Sequence, residues 1–142
     1  MISHNAAFFI AYYIIFRMPV QPELQAIFNR LNSKEICYLA SIDQGEPRVR
    51  IMALIPYGGH YWAVTHQNRE KYQQFLQNSH FEFCTTFHDQ SPTGSIRCRG
   101  VVELITDLGL KKELVATISW FSSFFRSHDD PDFILYKFHM FV

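Results

Sequence analysis

The sequence has no excess of charge of either sign. Its 142 residues include 13 Lys and Arg against 13 Asp and Glu, which gives a formal net charge of zero. Proteins that bind nucleic acid or anionic lipid by general electrostatic attraction carry a basic surplus, and none is present here. We therefore expect neither a nucleic acid nor a membrane as partner, and any site for an anion must be built locally.

Cysteine and histidine lack the spacing of disulfide frameworks or metal sites. Cys37, Cys84 and Cys98 are odd in number and form no CxxC pair, which indicates buried, reduced thiols in a reducing compartment, and we expect this compartment to be the cytoplasm. The seven histidines form no HxxxH or HExxH pattern, so we assign no metal. Glycine-rich dinucleotide and P-loop motifs are also missing, so the sequence supports neither kind of nucleotide site.

An apolar run near the N-terminus is too short to cross a bilayer. Ala6 to Phe16 gives eleven apolar residues, whereas a membrane-spanning helix needs roughly 20. Met1 to Asn5 contains no Lys or Arg, which argues against a signal peptide. Either the run is an apolar helix that docks on a neighbour, or the biological start is Met18. We expect residues 1–17 to be an extension and residues 18–142 to form a single domain.

The remaining chain has the pattern of strands with a few helices. Alternating apolar and polar residues predict strands, and apolar residues three or four apart predict helices. The two types do not alternate regularly, which argues against a parallel doubly wound sheet and for a mainly β antiparallel barrel with flanking helices. The predicted helices are 21–32, 68–78 and 108–125, and the predicted strands are 36–42, 47–55, 60–65, 80–87, 95–105 and 133–141.

The strand predicted at 47–55 carries two arginines on one face. Alternation places Arg48 and Arg50 on the face that also holds Met52 and Leu54. The opposite face is fully apolar, and we expect it in the core; it consists of Val49, Ile51, Ala53 and Ile55. The arginine pair fits either a solvated strand edge or an anion clamp. Taken alone, the pair favours the solvated edge.

The helix predicted at 68–78 begins with a lysine in its first turn. Asn68 is placed to cap the helix, and Tyr72, Phe75 and Leu76 lie on one side of it. A cation near the positive end of the helix dipole is unfavourable unless an anion binds there too. Lys71 therefore indicates an anion site, although an exposed lysine tolerated at small cost remains the alternative.

Two features lie in the C-terminal half. Gly100 interrupts a long strand, which predicts a bulge or a sharp bend. The helix that follows is predicted to bury Leu114, Ile118, Phe121 and Phe125 on one side. Trp120 and Phe124 add to an aromatic patch that fits a hydrophobic core, a subunit contact or a substrate pocket, and core is the first expectation.

Five segments in this order resemble the pyridoxamine 5'-phosphate oxidase-like FMN-binding split barrels. They are Tyr38 to Arg50, Tyr61 to Thr65, Lys71, Asn78, and Ile96 to Gly100. The resemblance implies a six-stranded antiparallel split barrel of Greek-key type with three helices. It also implies a homodimer with one FMN in each of two clefts between the subunits.

The resemblance also assigns roles to individual residues. It implies that Arg50 and Lys71 hold the FMN phosphate, with Arg48 as a helper on the same strand face. Thr65 matches a residue that approaches the isoalloxazine or the ribityl chain. The flavin would lie along Met52 and its neighbour Ile51. Ser95 falls near the position of a glutamine that contacts flavin in the family.

The expected function is an FMN-dependent oxidoreductase acting on an unidentified small molecule, with a nicotinamide cofactor as a candidate electron donor. Vitamin B6 oxidation is not expected, because the arginine- and histidine-containing C-terminal segment of those oxidases has no match. Glu70 beside Lys71 is a further departure from the family. Two alternatives remain open: a non-catalytic binding protein for flavin, deazaflavin or haem, with His66 as the candidate ligand, and a purely structural or interaction domain.

Overall fold

The computed structural model describes residues 22–88 and 94–141. The chain divides after Leu31 into two units, Met1–Leu31 and Asn32–Val142. The expected extension over residues 1–17 lies outside the described residues. Helix α1, Pro22–Asn32, begins with an acidic side chain in its first turn and ends with a basic one in its last, an arrangement that complements the helix dipole.

The described strands form one antiparallel sheet of seven strands. The sheet order is β2-β1-β5-β6-β7-β4-β3, and β2 lies near β4 although the two are far apart in that order. The sheet therefore curls into a half-barrel, which confirms the mainly β antiparallel fold with three helices. The strands are β1 Ile36–Asp43, β2 Glu46–Ala53, β3 Ile55–Tyr57, β4 His60–His66, β5 His80–Phe87, β6 Gly94–Ile105 and β7 Phe133–Met140, and the further helices are α2 Glu70–Gln77 and α3 Leu108–Val115.

The predicted strand 47–55 is broken at Leu54, which explains why seven strands are present and not six. Strand β2 pairs with β1, whereas β3 pairs with β4 at the opposite edge of the sheet. Between them the backbone N–H of Leu54 donates to the Glu35 carbonyl at 2.9 Å. The two halves of the predicted strand therefore belong to different edges, because each has a different pairing partner.

The prediction of which face of strand 47–55 is buried was wrong within β2 and right only for Ile55, which is buried at the start of β3. Val49 is 67% exposed and Ile51 is 62% exposed, although both were expected in the core. Met52, on the arginine face, is buried opposite Cys37 of β1. The arginine face turns inward because buried polar side chains are present there to bond Arg50. A fully apolar strand face looks the same in sequence whether it packs in a core or lies on the surface.

Gly100 marks the point where β6 exchanges one neighbour for another. It is paired with Phe81 of β5 and with Met140 of β7. Neither ladder contains an extra residue at this point, so the glycine is not a bulge. A Cβ atom added to Gly100 would lie 1.8 Å from the carbonyl oxygen of His139. Glycine is therefore required here because the backbones approach closely.

The helix predicted at 108–125 ends early, at Val115. The Thr117 hydroxyl donates to the Leu114 carbonyl at 2.7 Å and the Thr117 N–H donates to the same oxygen at 3.0 Å, which tightens the chain out of the α-helix. A short 3-10 turn, Phe121–Ser123, follows. The predicted buried side is confirmed, since all four of its members are buried: Leu114, Ile118, Phe121 and Phe125. Within the described ranges, no helix has the length and apolar character needed to cross a membrane.

Candidate functional site

A cleft of about 240 Å³ opens where β4 ends and the chain turns into α2. Side chains of two kinds meet there. Cationic and polar groups come from the end of β4 and the start of α2, and aromatic rings come from the segment around the 3-10 turn. The lining residues are Val64, Thr65, His66, Arg69, Lys71, Trp120, Phe124 and Phe125.

The N-terminus of α2 lacks a side-chain cap. Its N-cap residue is Arg69, and no side chain accepts a hydrogen bond there, so the prediction that Asn68 caps the helix was wrong. The backbone makes the turn itself, because the Arg69 N–H donates to the His66 carbonyl and the Tyr72 N–H to the Arg69 carbonyl, both at 3.0 Å. The first N–H groups of a helix have no intrahelical acceptor and carry partial positive charge. This end of α2 therefore favours an anion.

Lys71 lies in the first turn of α2, as predicted, within a cluster of cations. Burial lowers the pKa of its ammonium group, and the nearby charges of Arg50 and Arg69 lower it further. No ion pair among the described residues involves Lys71 or Arg69. The cluster is therefore an arrangement that a bound anion would stabilise.

Arg50 is held in one orientation by two buried neutral side chains. Its Nη1 donates to the Ser41 hydroxyl at 2.6 Å and its Nη2 donates to Gln74 Oε1 at 2.7 Å. The Ser41 hydroxyl donates in turn to Gln74 Oε1 at 2.7 Å. Burial lowers the Arg50 pKa, which the carboxylate of Glu70 partly opposes. Two of the five guanidinium N–H groups are used in these bonds.

Ser41 and Gln74 were not identified from the sequence. On α2, Gln74 takes the buried position beside Phe75, whereas Leu76, which was predicted to face inward, is 54% exposed. The reason is that the bonds to Ser41 and Arg50 satisfy the Gln74 amide oxygen inside the protein. One feature of the sequence could have identified Gln74: it lies one helical turn after Lys71, on the same side of the helix.

Thr65 carries a buried hydroxyl without a hydrogen-bond partner. The side chain is 4% exposed and lines the cleft, and its Oγ1 has no partner among the described residues. Leaving such a group unbonded costs about 1–3 kcal/mol. A polar atom of a bound ligand would remove that cost. The Tyr136 hydroxyl is also buried without a partner, but Tyr136 lies opposite Ala63 in the sheet and does not line the cleft.

His66 connects β4 to the loop that precedes β7. Its ring stacks on Phe125 with centroids 5.9 Å apart. Nδ1 accepts the Asn68 N–H at 3.3 Å, and Nε2 lies 3.4 Å from the Asp132 carboxylate. Both ring nitrogens are thus engaged within the protein. Within residues 22–88 and 94–141, no three His, Cys, Asp or Glu side chains are grouped to hold a metal ion.

Arg48 lies at the hairpin end of β2 and does not line the cleft. Its guanidinium is 3.5 Å from the Asp43 carboxylate and 3.2 Å from that of Glu46. The turn between those strands, Gln44-Gly45, has positive φ at both residues, which suits a tight two-residue hairpin. The hairpin therefore supplies Arg48 with carboxylate partners of its own.

Four other residues suggested by the resemblance also lie outside the cleft lining, and Arg50 is one of them. Ile51 is on the exposed face of β2, and Met52 is buried in the sheet opposite Cys37. Ser95 is exposed near the start of β6, opposite Thr86. The structure thus places Thr65 and Lys71 together in the cleft lining, and the charge of Arg50 acts on Lys71 from outside that lining.

An apolar strip covers the outer face of the β1–β2 hairpin. Cross-strand pairing aligns Tyr38 with Ile51 and Ala40 with Val49. We call these exposed large side chains the outer strip: Ile36, Tyr38, Val49 and Ile51, which are 47%, 44%, 67% and 62% exposed. Large contiguous apolar patches are uncommon on the surfaces of monomeric proteins.

The cysteines take no part in the cleft. All three are free thiols, and the predicted burial is found for Cys37, whereas Cys84 and Cys98 are only half-buried. Burial raises the pKa of Cys37 to about 12 and that of Cys98 to about 11. Both therefore remain protonated near neutral pH, and a protonated thiol is a poor nucleophile.

Solved structures with the same fold come from several bacteria. A NimC/NimA family protein of Clostridium acetobutylicum gives a TM-score of 0.68 at 22% identity, covering 80% of this chain and 78% of that one. General Stress Protein 26 of Bacillus anthracis gives 0.67 at 14%, covering 82% and 87%. The haem storage protein HutZ of Vibrio cholerae gives 0.61 at 13%, covering 88% and 95%. At these identities the similarity establishes the fold alone.

Family membership rests on the sequence match. Comparison with curated protein sequences gives no match. The model of the family described as pyridoxamine 5'-phosphate oxidase matches residues 21–140, which is most of the chain. The resemblance deduced from the sequence is confirmed, and the chain belongs to the pyridoxamine 5'-phosphate oxidase family.

Proposed function

We propose that this protein binds FMN by its phosphate and acts as an FMN-dependent oxidoreductase on a small molecule. The observation that carries the proposal is the cluster of Arg50, Arg69 and Lys71 at the uncapped N-terminus of α2. A phosphate monoester carries close to two negative charges near neutral pH. Such a dianion would offset the mutual repulsion of the cations and accept hydrogen bonds from the helix end.

Each residue of the site would contribute in a different way. Arg50 offers a guanidinium already fixed by Ser41 and Gln74, so little side-chain entropy is lost when it binds. Lys71 supplies a point charge whose lowered pKa a phosphate would raise again. The unbonded Thr65 hydroxyl would pair with a polar atom of the ligand.

The bound flavin would supply hydride or single-electron transfer, and the protein would bind, orient and shield it. The substrate is proposed to be a small molecule, with a nicotinamide cofactor as electron donor.

The size of the cleft supports a homodimer. Sites that enclose a small ligand measure roughly 300–1,000 Å³, and this cleft of about 240 Å³ is smaller. We propose that a second copy of the chain completes the FMN site and that the outer strip lies in the dimer contact. Burial of four large apolar side chains would stabilise such a contact.

The first test is direct titration with FMN. We expect the protein to bind FMN, with absorbance at about 450 nm from the flavin ring. Riboflavin, which lacks the phosphate, is the matched control and should bind at least about 10-fold more weakly if charge-assisted hydrogen bonds to phosphate are formed. Quenching of flavin fluorescence measures both affinities. A protein that binds neither flavin, or binds both equally well, contradicts the proposed phosphate site.

The homodimer makes a second prediction. Replacing Ile51 with lysine should convert the dimer to a monomer, because the substitution places a charge in the centre of the outer strip. Sedimentation velocity at several concentrations measures the change. Leu76→Lys is the control, since Leu76 is 54% exposed on α2, outside the strip, and this variant should remain dimeric. If the wild-type protein is a monomer, the proposed dimer contact through the outer strip is wrong.

The alternative of haem binding is less well supported. His66 is the histidine among the described residues that line the cleft, and its ring nitrogens already bond Asn68 and Asp132. Ligation of haem iron would break one of these contacts. A Soret band after addition of haem, without uptake of FMN, would favour the haem-binding alternative.

A further inference from the structure

We propose that Lys71 is a nucleophile that condenses with a small aldehyde carrying an anionic group. The amine forms an imine with the aldehyde carbon and releases water, so neither partner is oxidised or reduced. This activity goes beyond the proposed function, because it needs the amine of Lys71 free and involves no flavin. Lysine amines that form imines with carbonyl compounds are a common class of enzyme nucleophile.

Lys71 differs from other lysines of the chain in its contacts. Lys111 donates to the Phe133 carbonyl at 3.1 Å, so its amine is already engaged. Lys112 is exposed on α3. Lys71 lines the cleft and makes no ion pair with any residue in the ranges 22–88 and 94–141. The ammonium groups that lie 4.2 to 5.5 Å from the centroid of an aromatic ring are those of Lys34, Lys111 and Lys137.

The surroundings of Lys71 increase the share of its neutral form, which is the nucleophile. Burial lowers the pKa of the ammonium group, and the charges of Arg50 from β2 and Arg69 from α2 lower it further. The carboxylate of Glu70 acts on Arg50 instead, where it opposes the effect of burial. Desolvation and neighbouring cations are the two conditions that activate lysine amines in proteins.

Arg69 determines the class of aldehyde. It lines the cleft with Lys71 and has no ion-pair partner among the residues that the structure describes. A guanidinium binds a carboxylate through two parallel N–H donors. A carboxylate bound by Arg69 brings an aldehyde on the adjacent carbon towards the amine of Lys71, which raises the effective concentration of the aldehyde there. A neutral aldehyde gains nothing from this arginine.

Thr65 provides a hydrogen-bond donor for the carbonyl oxygen. Its side chain is 4% exposed and lines the same cleft, and its Oγ1 has no partner among the described residues. A buried hydroxyl that is left unbonded is costly, so it should pair with a polar atom of whatever occupies the cleft. The oxygen of a bound aldehyde becomes negative as the amine adds, and a donor aimed at it is then most effective.

The atoms and electrons balance without a further reactant. The lone pair of Lys71 Nζ forms the new C–N bond, and the π electrons of the C=O bond move onto oxygen. A proton passes from the nitrogen to that oxygen and gives a carbinolamine. The C–O bond then breaks, and the hydroxyl leaves as water with the second nitrogen proton. The product is a C=N bond between Lys71 and the former aldehyde carbon.

The test traps the imine with cyanoborohydride in the full chain, without added flavin. Glyoxylate is the anionic aldehyde, and acetaldehyde is the neutral aldehyde of the same length. Peptide mapping by mass spectrometry compares modification of Lys71 with that of exposed Lys112 in the same sample. Glyoxylate should modify Lys71 at least about 10-fold faster than Lys112, as expected for one charge-assisted hydrogen bond, and acetaldehyde should show a smaller preference. Similar rates at the two lysines with glyoxylate, or equal preferences with both aldehydes, would overturn the proposal.

Two variants test the partners of the amine. Thr65→Val removes the hydroxyl and keeps the branched shape, and the lost hydroxyl has no partner in the protein, so thermal unfolding should not weaken. Trapping of glyoxylate at Lys71 should fall about 3- to 10-fold, as for the loss of one hydrogen bond. Arg69→Gln should remove the preference of Lys71 for glyoxylate over acetaldehyde. Wild-type trapping in both variants would contradict the proposed site.

Added FMN separates this activity from the proposed function. A flavin phosphate at Lys71 should slow trapping there and leave Lys112 unaffected. Preferential trapping that saturating FMN does not slow retains the imine and contradicts a phosphate site at Lys71. Binding of FMN by a protein in which glyoxylate does not prefer Lys71 overturns the imine and retains the flavin proposal.

Discussion

Replacing Lys71 with glutamine is expected to weaken FMN binding about 10- to 100-fold, because a hydrogen bond to a charged group contributes about 1.5–3 kcal/mol. Glutamine keeps much of the length of the side chain and removes the charge. The change also relieves repulsion with Arg50 and Arg69 in the free protein, so the variant should not be less stable. Fluorescence titration measures the affinity, and thermal unfolding measures the stability.

The affinity for FMN is expected to fall as the pH rises. Burial and the two neighbouring arginines lower the pKa of Lys71, so its charge is lost at a lower pH than that of an ordinary lysine. A bound phosphate favours the charged form, and FMN affinity should therefore fall as pH rises through the lowered pKa. Lys71→Gln should not show this fall.

The control for the Lys71 variant is an exposed lysine outside the cleft. Lys112 of α3 meets that condition, and Lys112→Gln should bind FMN like the wild-type protein. Wild-type affinity in Lys71→Gln would place the phosphate away from α2. The proposal that the cation cluster binds the phosphate would then be wrong, even if the protein bound FMN.

Replacing Gly100 with alanine is expected to lower the free energy of unfolding by about 3 kcal/mol, because overpacking between fixed backbones is costly. The added Cβ would lie 1.8 Å from the His139 carbonyl oxygen, and the neighbouring strand would have to move. That strand, β7, is paired on both sides, with β6 and with β4. Thermal unfolding should show a fall in Tm of about 10 °C.

A glycine in the same strand provides the comparison for Gly100→Ala. Gly94 begins β6, and a Cβ atom added there would meet nothing within 4 Å. Gly94→Ala should therefore change the free energy of unfolding by no more than about 0.5 kcal/mol. Equal stability of the two variants would mean that the strands at Gly100 can separate without loss of pairing.

Alternation predicted the strands well where one face is clearly buried. In β5, predicted at 80–87, burial alternates along the strand, and Phe81, Phe83 and Phe87 are all buried. Alternation misassigned Val49 and Ile51, because a surface strip on the outer face of a sheet has the same pattern as a core face. Sequence also could not locate the break at Leu54, since that break depends on pairing with β4 at the opposite edge.

The candidate site was only partly accessible from the sequence. Lys71 was identified by its position at a helix start, and Thr65 and Arg50 came from the family resemblance. Ser41 and Gln74 were missed because they meet across 33 residues of chain, through a hydrogen bond that no local pattern encodes. The positions of Trp120 and Phe124 in the cleft lining depend on where the helix after β6 ends, and the predicted longer helix would have placed those rings differently.

The position of β7 in the sheet has a consequence for how the chain folds. This strand lies between β6 and β4, and its register with β4 pairs Tyr61 with Phe138 and His66 with Phe133. During synthesis, β4 leaves the ribosome long before β7 does, so one side of β4 stays unpaired in the nascent chain. Contacts of such high sequence separation slow folding, and open strand edges are sites of aggregation. The nascent chain is therefore prone to misassembly until β7 pairs with β4 and β6.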